Sequence, residues 1–232
     1  KPWITRLPFP VHVVERVTTL DRISGNGFVS SYKYHHGYFD GVEREFRGFG
    51  MVEQKDTEEF AAFAAGAQPE ATNVEAASHV PPVLTKTWFH TGIYVGRDHV
   101  SDFFAGLHDD SDVGEYYREP GLTDAEARER LLPDTVLSAD LTLDEEREAC
   151  RALKGMMLRQ EVYALDADDN SSPEEKMRAA TPYTVVEQNF TLERLQPQLG
   201  NRHAVFFAHP REVLSNRCER NPADPCISHA LT

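Results

Sequence analysis

Three carboxylates crowd one short stretch of the chain: Asp40, Glu43 and Glu45 in the run YFDGVERE. Paired acids are the chemistry of glycoside hydrolysis, in which one protonates the leaving group and the other serves as base or nucleophile. On a single strand, Glu43 and Glu45 would share a face roughly 7 Å apart. Next to them, His35 and His36 offer imidazoles for proton transfer or metal binding. Adjacent strand residues point to opposite faces, so the two rings are not expected to share an ion. One surface histidine and one packed histidine are expected instead. Acidic residues abound in this chain, so the carboxylate pair is weighed against an ordinary solvated surface.

The other reactive side chains fall short of a motif. Asp166, Asp168 and Asn170 copy the first three side-chain ligand positions of a calcium loop. Ser171 then replaces the turn glycine, and Met177 stands where the bidentate glutamate belongs, so a solvated turn is expected. His90, His203 and His209 lack any HExxH-type spacing. The latter two flank an apolar run and are expected to cap it by hydrogen bonding. There is no G-x-S-x-G elbow, and Gly25-Asn26-Gly27 lacks the Gly-Lys-Ser/Thr of a phosphate loop. Of the three cysteines, Cys150 reads as buried packing on a helix. Cys218 and Cys226 could pair across the Asn221–Pro225 turn, or could both be reduced thiols. No constellation reads as catalytic, metal-binding or cofactor-binding, and a non-enzymatic protein is expected.

The elements that hold these residues alternate in the manner of a β-protein. Tyr32 to Gln54 reads as one hairpin, with Asp40-Gly41 as its turn. Val42 to Gln54 is the second arm. Gly48 and Gly50, on either side of Phe49, signal a bulge or a close backbone approach. Trp3–Arg6 and Val11–Leu20 read as strands split by Pro8 and Pro10, and residues 1–54 form a β-meander. Residues 55–68 hold a short helix, Asp56–Gly66, capped by Asp56 or Thr57. Val83–Val95 returns to strand.

Residues 98–155 are a helical insertion. Val100, Phe103, Phe104 and Leu107 suggest a short helix. Thr123 and Glu126 form a capping box that opens a helix ending before Pro133. Thr142 caps a further helix running to Gly155, with Leu143, Cys150 and Leu153 to one side. Residues 156–220 are antiparallel strands: Met156–Leu165, Tyr183–Leu195, His203–His209 and Glu212–Arg220, with Asp166–Ala180 as a charged loop. The fold class is therefore mainly β with a helical insertion (α+β), built on long antiparallel strands.

Composition closes off several functions. The chain has 232 residues and a formal net charge of −14. Nucleic acid and anionic membrane both need clustered Lys and Arg, so neither is expected as a partner. No apolar run approaches the roughly 18 residues of a membrane span. The opening Lys1-Pro2-Trp3-Ile4 has no apolar h-region of a signal peptide, and the lack of an initiator Met suggests a piece of a longer protein.

Several stretches carry a family likeness. YKYHHGYFDGVEREFRGFGMVE, PPVLTKTWFHTGIY, LLPDTV, EACRALKGMMLRQEVYALD, PYTVVEQNF and GNRHAVFFAHPRE with CERNPADPCISHAL occur in order from about Pro8 to Leu231. They resemble the middle/C-terminal region of the insecticidal toxin complex (Tc) B subunit, related in architecture to Rhs/YD-repeat proteins. The resemblance implies a segment of a secreted toxin's β-shell, a spiralling antiparallel wall enclosing the toxic effector part of the C subunit. It implies as partners the rest of the B subunit, the C subunit, the enclosed effector and, indirectly, the pore-forming A subunit. A self-cleaving protease of that family lies in the C-subunit part, so no catalytic residue is carried over. The acidic balance is expected to line the cavity and keep a basic cargo from sticking. The alternative is a carbohydrate-binding or carbohydrate-hydrolysing β-domain, using Trp3, Trp88, the tyrosines, Glu43 and Glu45.

Overall fold

The computed structural model describes residues 7–20, 23, 27–57, 81–107, 114–221 and 224–232. The expected strand Trp3–Arg6, most of the expected helix Asp56–Gly66 and Gly25-Asn26 lie outside these residues. Within them runs one nine-stranded sheet with three helices. In chain order the elements are β1 (Arg16–Leu20), β2 (Gly27–Asp40), β3 (Glu45–Thr57), β4 (Val83–Phe89), α1 (Asp124–Glu129), β5 (Val136–Leu137) and α2 (Leu143–Ala152). β6 (Met157–Ala164), α3 (Pro173–Ala179), β7 (Thr184–Gln196), β8 (Val205–Arg217) and β9 (Cys226–Leu231) follow. The sheet order is β1-β2-β3-β4-β6-β7-β8-β9, each neighbour antiparallel, with the two-residue β5 parallel to β7. The mainly-β, antiparallel class read from the sequence is the class observed.

The hairpin β2–β3 is the longest early pairing, and its loop is 41–44. Asp40 Oδ1 accepts from the Val42 and Glu43 N–H groups at 2.9 and 3.0 Å, a side-chain mimic of a backbone turn. The left-handed residue is Arg44, φ 53°, rather than either member of Asp40-Gly41. A four-residue loop thus replaces the two-residue turn that Asp-Gly signals, and the second arm starts at Glu45 instead of Val42. The glycine signal does mark a bulge. Gly37 pairs with Phe49 and Phe39 with Phe46, so Tyr38 alone faces both Arg47 and Gly48, the latter at φ 94°. At Gly50 a Cβ would stand 2.9 Å from the Phe104 ring, which is the close approach.

β4 and β6 pair directly although a long insertion separates them. The insertion's neck is fastened: His90 N donates to Met156 O and Gly155 N to His90 O, at 2.9 and 2.8 Å. Its two expected capping boxes are present at Thr123–Glu126 and Thr142–Glu145. Helix α1 stops at Glu129, earlier than expected, and α2 at Ala152. Leu143 is 62% exposed, whereas Cys150 and Leu153 are fully buried; the buried side of α2 runs through Glu145, Glu146, Ala149 and Cys150, and Leu143 lies off it. Val100–Leu107 forms bends, not the expected helix. The Asp134 carboxylate takes the Val100 and Ser101 N–H groups at 2.6 and 2.8 Å. Val100 instead packs into the core with Leu153, Leu158, Phe190 and Leu192.

The later strands depart from expectation in three places. β8 is one continuous strand across Pro210, because a register shift at Asn189–Phe190 places the proline, which has no N–H to give, at a bulge. β9 extends the sheet beyond residue 220. The expected charged loop holds α3, whose Ser172 and Glu175 form a third capping box ahead of Pro173; Ser-x-x-Glu before a proline is a helix start. Shorter corrections apply to β1, which begins at Arg16 rather than Val11, and β4, which ends at Phe89. Among the described residues no helix is long and apolar enough to cross a membrane.

Candidate functional site

Alternation on β6 reads Arg159, Glu161, Tyr163 on one face, and this face is covered by the insertion. Arg159 is the centre of a buried polar cluster. Its Nη1 donates to Glu187 Oε2 at 2.6 Å and its Nε to Glu161 Oε1 at 2.7 Å. Its guanidinium stacks 4.7 Å over the Tyr116 ring. The remaining carboxylate oxygens bind the insertion and the sheet. Glu161 Oε1 also accepts from Tyr117 N at 2.8 Å, Glu161 Oε2 from Tyr163 Oη at 2.6 Å, and Glu187 Oε1 from Leu132 N at 2.8 Å. Burial pushes the Glu187 carboxyl above its ordinary value even against the pull of Arg159. Burial, reinforced by Glu161, pushes the Tyr163 hydroxyl up as well.

All four carboxylate oxygens of Glu161 and Glu187 accept hydrogen bonds, so the cluster holds the insertion down rather than presenting a free acid or base. A cavity of about 80 Å³ lies beside it, lined among others by Tyr116, Leu131, Arg159, Glu187, Leu214 and Cys218. Sequence reading missed this cluster. Its signal was Arg-x-Glu inside a strand, which period two puts on one face.

The carboxylates singled out from the sequence are ion-paired. Glu43 lies in the hairpin loop and Glu45 opens β3, so they are not two residues of one strand face. Glu45 accepts from Lys154 Nζ at 2.8 Å and lies 3.6 Å from Arg151 Nε. The Lys154 hydrogen bond holds the Glu45 carboxyl below its usual range. Glu43 stands 3.7 Å from Arg151 Nη1. Asp40 pairs with Arg47 Nη2 at 3.0 Å, and Arg47 Nη1 reaches the Gly92 carbonyl at 2.5 Å. Burial alone would push Asp40 up, but the Glu43 and Val42 N–H groups and Arg47 hold it low. The hairpin end is thereby laced to α2 and to the insertion's neck.

The histidines depart from simple alternation. His36 takes φ 56°, and its ring lies 6.4 Å from that of His35, closer than opposite faces would allow. His36 Nε2 lies 2.8 Å from Glu115 and His35 Nε2 3.5 Å from Glu53. Among the described residues no three His, Cys, Asp or Glu side chains gather as a metal site. His90 is buried: Nε2–H donates to Val100 O at 2.7 Å, and Nδ1 accepts from Gly92 N at 2.8 Å. Burial pushes its pKa down to about 4. His203 binds Glu148 at 2.6 Å just ahead of β8, as a cap would. His209 instead lies inside β8, paired opposite Thr191 and 3.2 Å from the Pro210 carbonyl, so it caps no strand end because the strand continues through Pro210.

Asp166 forms a two-point pair with Arg220, and Asp168 Oδ1 accepts from Asn170 N, so these residues make a turn and an inter-loop bridge. Cys150, Cys218 and Cys226 are free thiols, the first two buried and the third exposed; the Cys218–Cys226 pairing does not form. Cys218 instead donates to Asn216 Oδ1. Trp88 is fully buried and donates to Glu115 Oε2 at 3.1 Å. It offers no platform to a sugar. Trp3 lies outside the described residues.

Two family models match the chain. That for the insecticide toxin TcdB middle/N-terminal region matches residues 1–92, and that for the TcdB middle/C-terminal region matches residues 148–232. No curated protein matches. Among solved structures, the chain is similar to a crystal structure of TcdB2-TccC3-TEV, at 29% identity over 100% of this chain, with a TM-score of 0.70. It is similar to TcdB2-TccC3-Cdc42 at 30% identity over 97% of this chain, with a TM-score of 0.69. It is also similar to the Photorhabdus luminescens Tc holotoxin pore, at 30% identity over 97% of this chain, with a TM-score of 0.68. The chain spans 9% of the length of each of these three matched chains.

Proposed function

We infer that this chain, which belongs to the TcdB-like B-subunit family of insecticidal toxin complexes, is a noncatalytic stretch of the wall of a secreted toxin's shell. One observation carries the reading furthest. Among the described residues the sheet is a long antiparallel meander whose outermost strands are β1 and β9, and every side chain of β9 is exposed. A terminal strand exposed on both faces, with an unpaired edge and apolar Ile227 and Leu231 in it, is a liability that proteins cover or pair. Neighbouring strands of the same shell answer it. The similar structures are titled as TcdB2-TccC3 assemblies and as a Tc holotoxin pore. They support, for this chain, partnership with a TccC3-like subunit within a toxin complex; enclosure of an effector part and an indirect connection to a pore-forming subunit are what the proposed wall would provide. The ion-paired state of Asp40, Glu43 and Glu45 and the burial of Trp88 favour this role over a carbohydrate-active one.

The test is electron cryomicroscopy of the full B subunit with its C partner. The expected map shows β1 and β9 each continued by a further strand around an enclosed volume. A sheet whose two edges meet solvent, standing off any closed wall, would overturn the reading. A glycan-hydrolysis screen tests the alternative. Activity lost on Glu45→Gln with assembly intact would replace the shell role with an enzymatic one.

A further inference from the structure

A polar pocket of about 320 Å³ lies beside the β2–β3 hairpin loop. Four stretches far apart in the chain build it: the hairpin end, the insertion's neck, α2, and the loop that joins β7 to β8. The chain carries 38 acidic residues to 24 basic ones, yet four arginines and one histidine meet here. Their hydrogen-bonding capacity is largely unspent. Arg47, with its side chain 4% exposed, is held by Asp40 and the Gly92 carbonyl, but its buried Nε has no hydrogen-bond partner. Arg151 stands 3.6 Å from Glu45 and 3.7 Å from Glu43, beyond hydrogen-bonding distance. Among the described residues the Arg147 and Arg202 guanidiniums make neither a hydrogen bond nor an ion pair. The acids facing them are partly taken. Asp40 is bound by Arg47 and by two backbone N–H groups, and Glu148 takes the Ala204 N–H and His203, both at 2.6 Å. Glu43 and Asp144 are left over.

We propose that this pocket receives an acidic loop of the same subunit, from outside residues 1–232, and that Arg147, Arg151 and Arg202 clamp the carboxylate of an Asp or Glu in that loop. This rests on the shell reading above. The chain spans 9% of the length of the chains it matches, so in a wall of that kind the polypeptide packed against this end is more of the same subunit. A guanidinium is a planar fork that meets a carboxylate with two parallel hydrogen bonds. Three such forks outnumber the two leftover carboxylates, so the pocket has room for one more negative charge. A multiply charged anion such as free phosphate would be repelled by Glu43 and Asp144, whereas a single carboxylate balances the surplus. The rest of the lining fits a protein loop as well. Tyr38 and Tyr94 belong to it, as does Val42 at 73% exposure, and tyrosine and arginine are the side chains in which protein contacts are enriched. Exposed ion pairs contribute little, but the same pairs strengthen once a loop excludes the water around them. The remaining guanidinium N–H groups are then available to the carbonyls of that loop.

The test uses the full B subunit assembled with its C partner, in two variants, Arg147→Lys and Arg202→Lys. Each keeps the cation and supplies an amine. A water-soluble carbodiimide activates a carboxylate as its acylurea ester, and an amine in contact displaces the urea to form an amide with no spacer. Mass spectrometry maps the amides formed. Lys154 and Glu45, in contact at 2.8 Å, serve as the internal standard and should couple in every sample. The expected result is a new amide between the introduced lysine and an Asp or Glu of the B subunit outside residues 1–232. Coupling only to Glu43 or Asp144, or no coupling while Lys154 and Glu45 couple, would overturn the proposal and leave the shell standing. Coupling to the C partner would overturn it too, because the pocket would then belong to the interface between subunits. A second measurement separates a clamp from mere proximity. Arg147→Glu combined with Arg202→Glu is expected to speed hydrogen exchange in the coupled loop about tenfold, since like charges then face each other. Unchanged exchange in that loop would overturn the clamp.

Discussion

Arg159 and Glu187, on neighbouring strands β6 and β7, share a 2.6 Å hydrogen bond while both side chains are at least nine-tenths buried. The pair is the junction at which sheet and insertion meet, because Glu187 also takes the Leu132 N–H and Glu161 the Tyr117 N–H. Removing Arg159 leaves two carboxylates buried without their cation. Arg159→Met is expected to destabilise the β6–β7 region by about 3–5 kcal/mol. Hydrogen exchange of the amides of β6 and β7 in the full subunit checks this; unchanged protection would refute the central role. Adding Glu161→Gln and Glu187→Gln to that variant is expected to recover part of the loss, since the orphaned charges go with it.

Gly48 sits at φ 94° in the hairpin bulge, and the bulge turns Arg47 into the interior, where it meets Asp40 and the Gly92 carbonyl. Gly48→Ala is expected to cost about 1–2 kcal/mol from the left-handed backbone alone. Nothing stands within 4 Å of a Cβ added there, so the cost is conformational and not steric. At Gly50 the added Cβ meets Phe104 at 2.9 Å and His36 Cβ at 3.1 Å. Gly50→Ala is expected to displace Phe104, which faster exchange of the 101–106 amides would report.

His90 is neutral in the fold and its pKa lies at about 4, against an ordinary value of 6.5. A depressed histidine stabilises the fold fully above its unfolded value. As pH falls from 6.5 through 4, the unfolded chain gains a proton that the folded chain refuses. The loss reaches about 3 kcal/mol at the bottom of that window. The insertion's neck is expected to loosen between pH 6.5 and 4, seen as rising hydrogen exchange at residues 90–92 and 154–156. His90→Gln should flatten that dependence.

Helix α3 has no buried residue, and its start rests on Ser172 and Glu175. Ser172→Ala is expected to cost about 1 kcal/mol locally. Amides of 173–179 should exchange faster, with the β7 amides unchanged. Equal loss in both would mean that α3 is part of the sheet's cooperative unit.

What the sequence determined by itself was whatever depends on neighbours along the chain. The alternation of Tyr32–Gln54 and Tyr183–Leu195 set strands, because period two alone sorts their side chains to two faces. Thr123-x-x-Glu126 and Thr142 set helix starts, because a cap is satisfied within four residues. Gly48 marked a bulge, since the backbone there needs a conformation other residues resist. The family followed from ordered stretches of sequence along the same chain. Tertiary structure decided the rest. Whether Val100 begins a helix depended on the Asp134 carboxylate, distant in sequence, taking its N–H. Whether Glu43 and Glu45 could be catalytic depended on Arg151 arriving from α2 and Lys154 from the turn that follows it. Whether Pro210 splits β8 depended on where β7 places its register shift. The gathering of Arg47, Arg147, Arg151 and Arg202 round one pocket depended on strand pairings that join residues far apart in the chain. Local pattern fixes which side of its own strand a residue takes, but only the pairing of strands says which sides coincide.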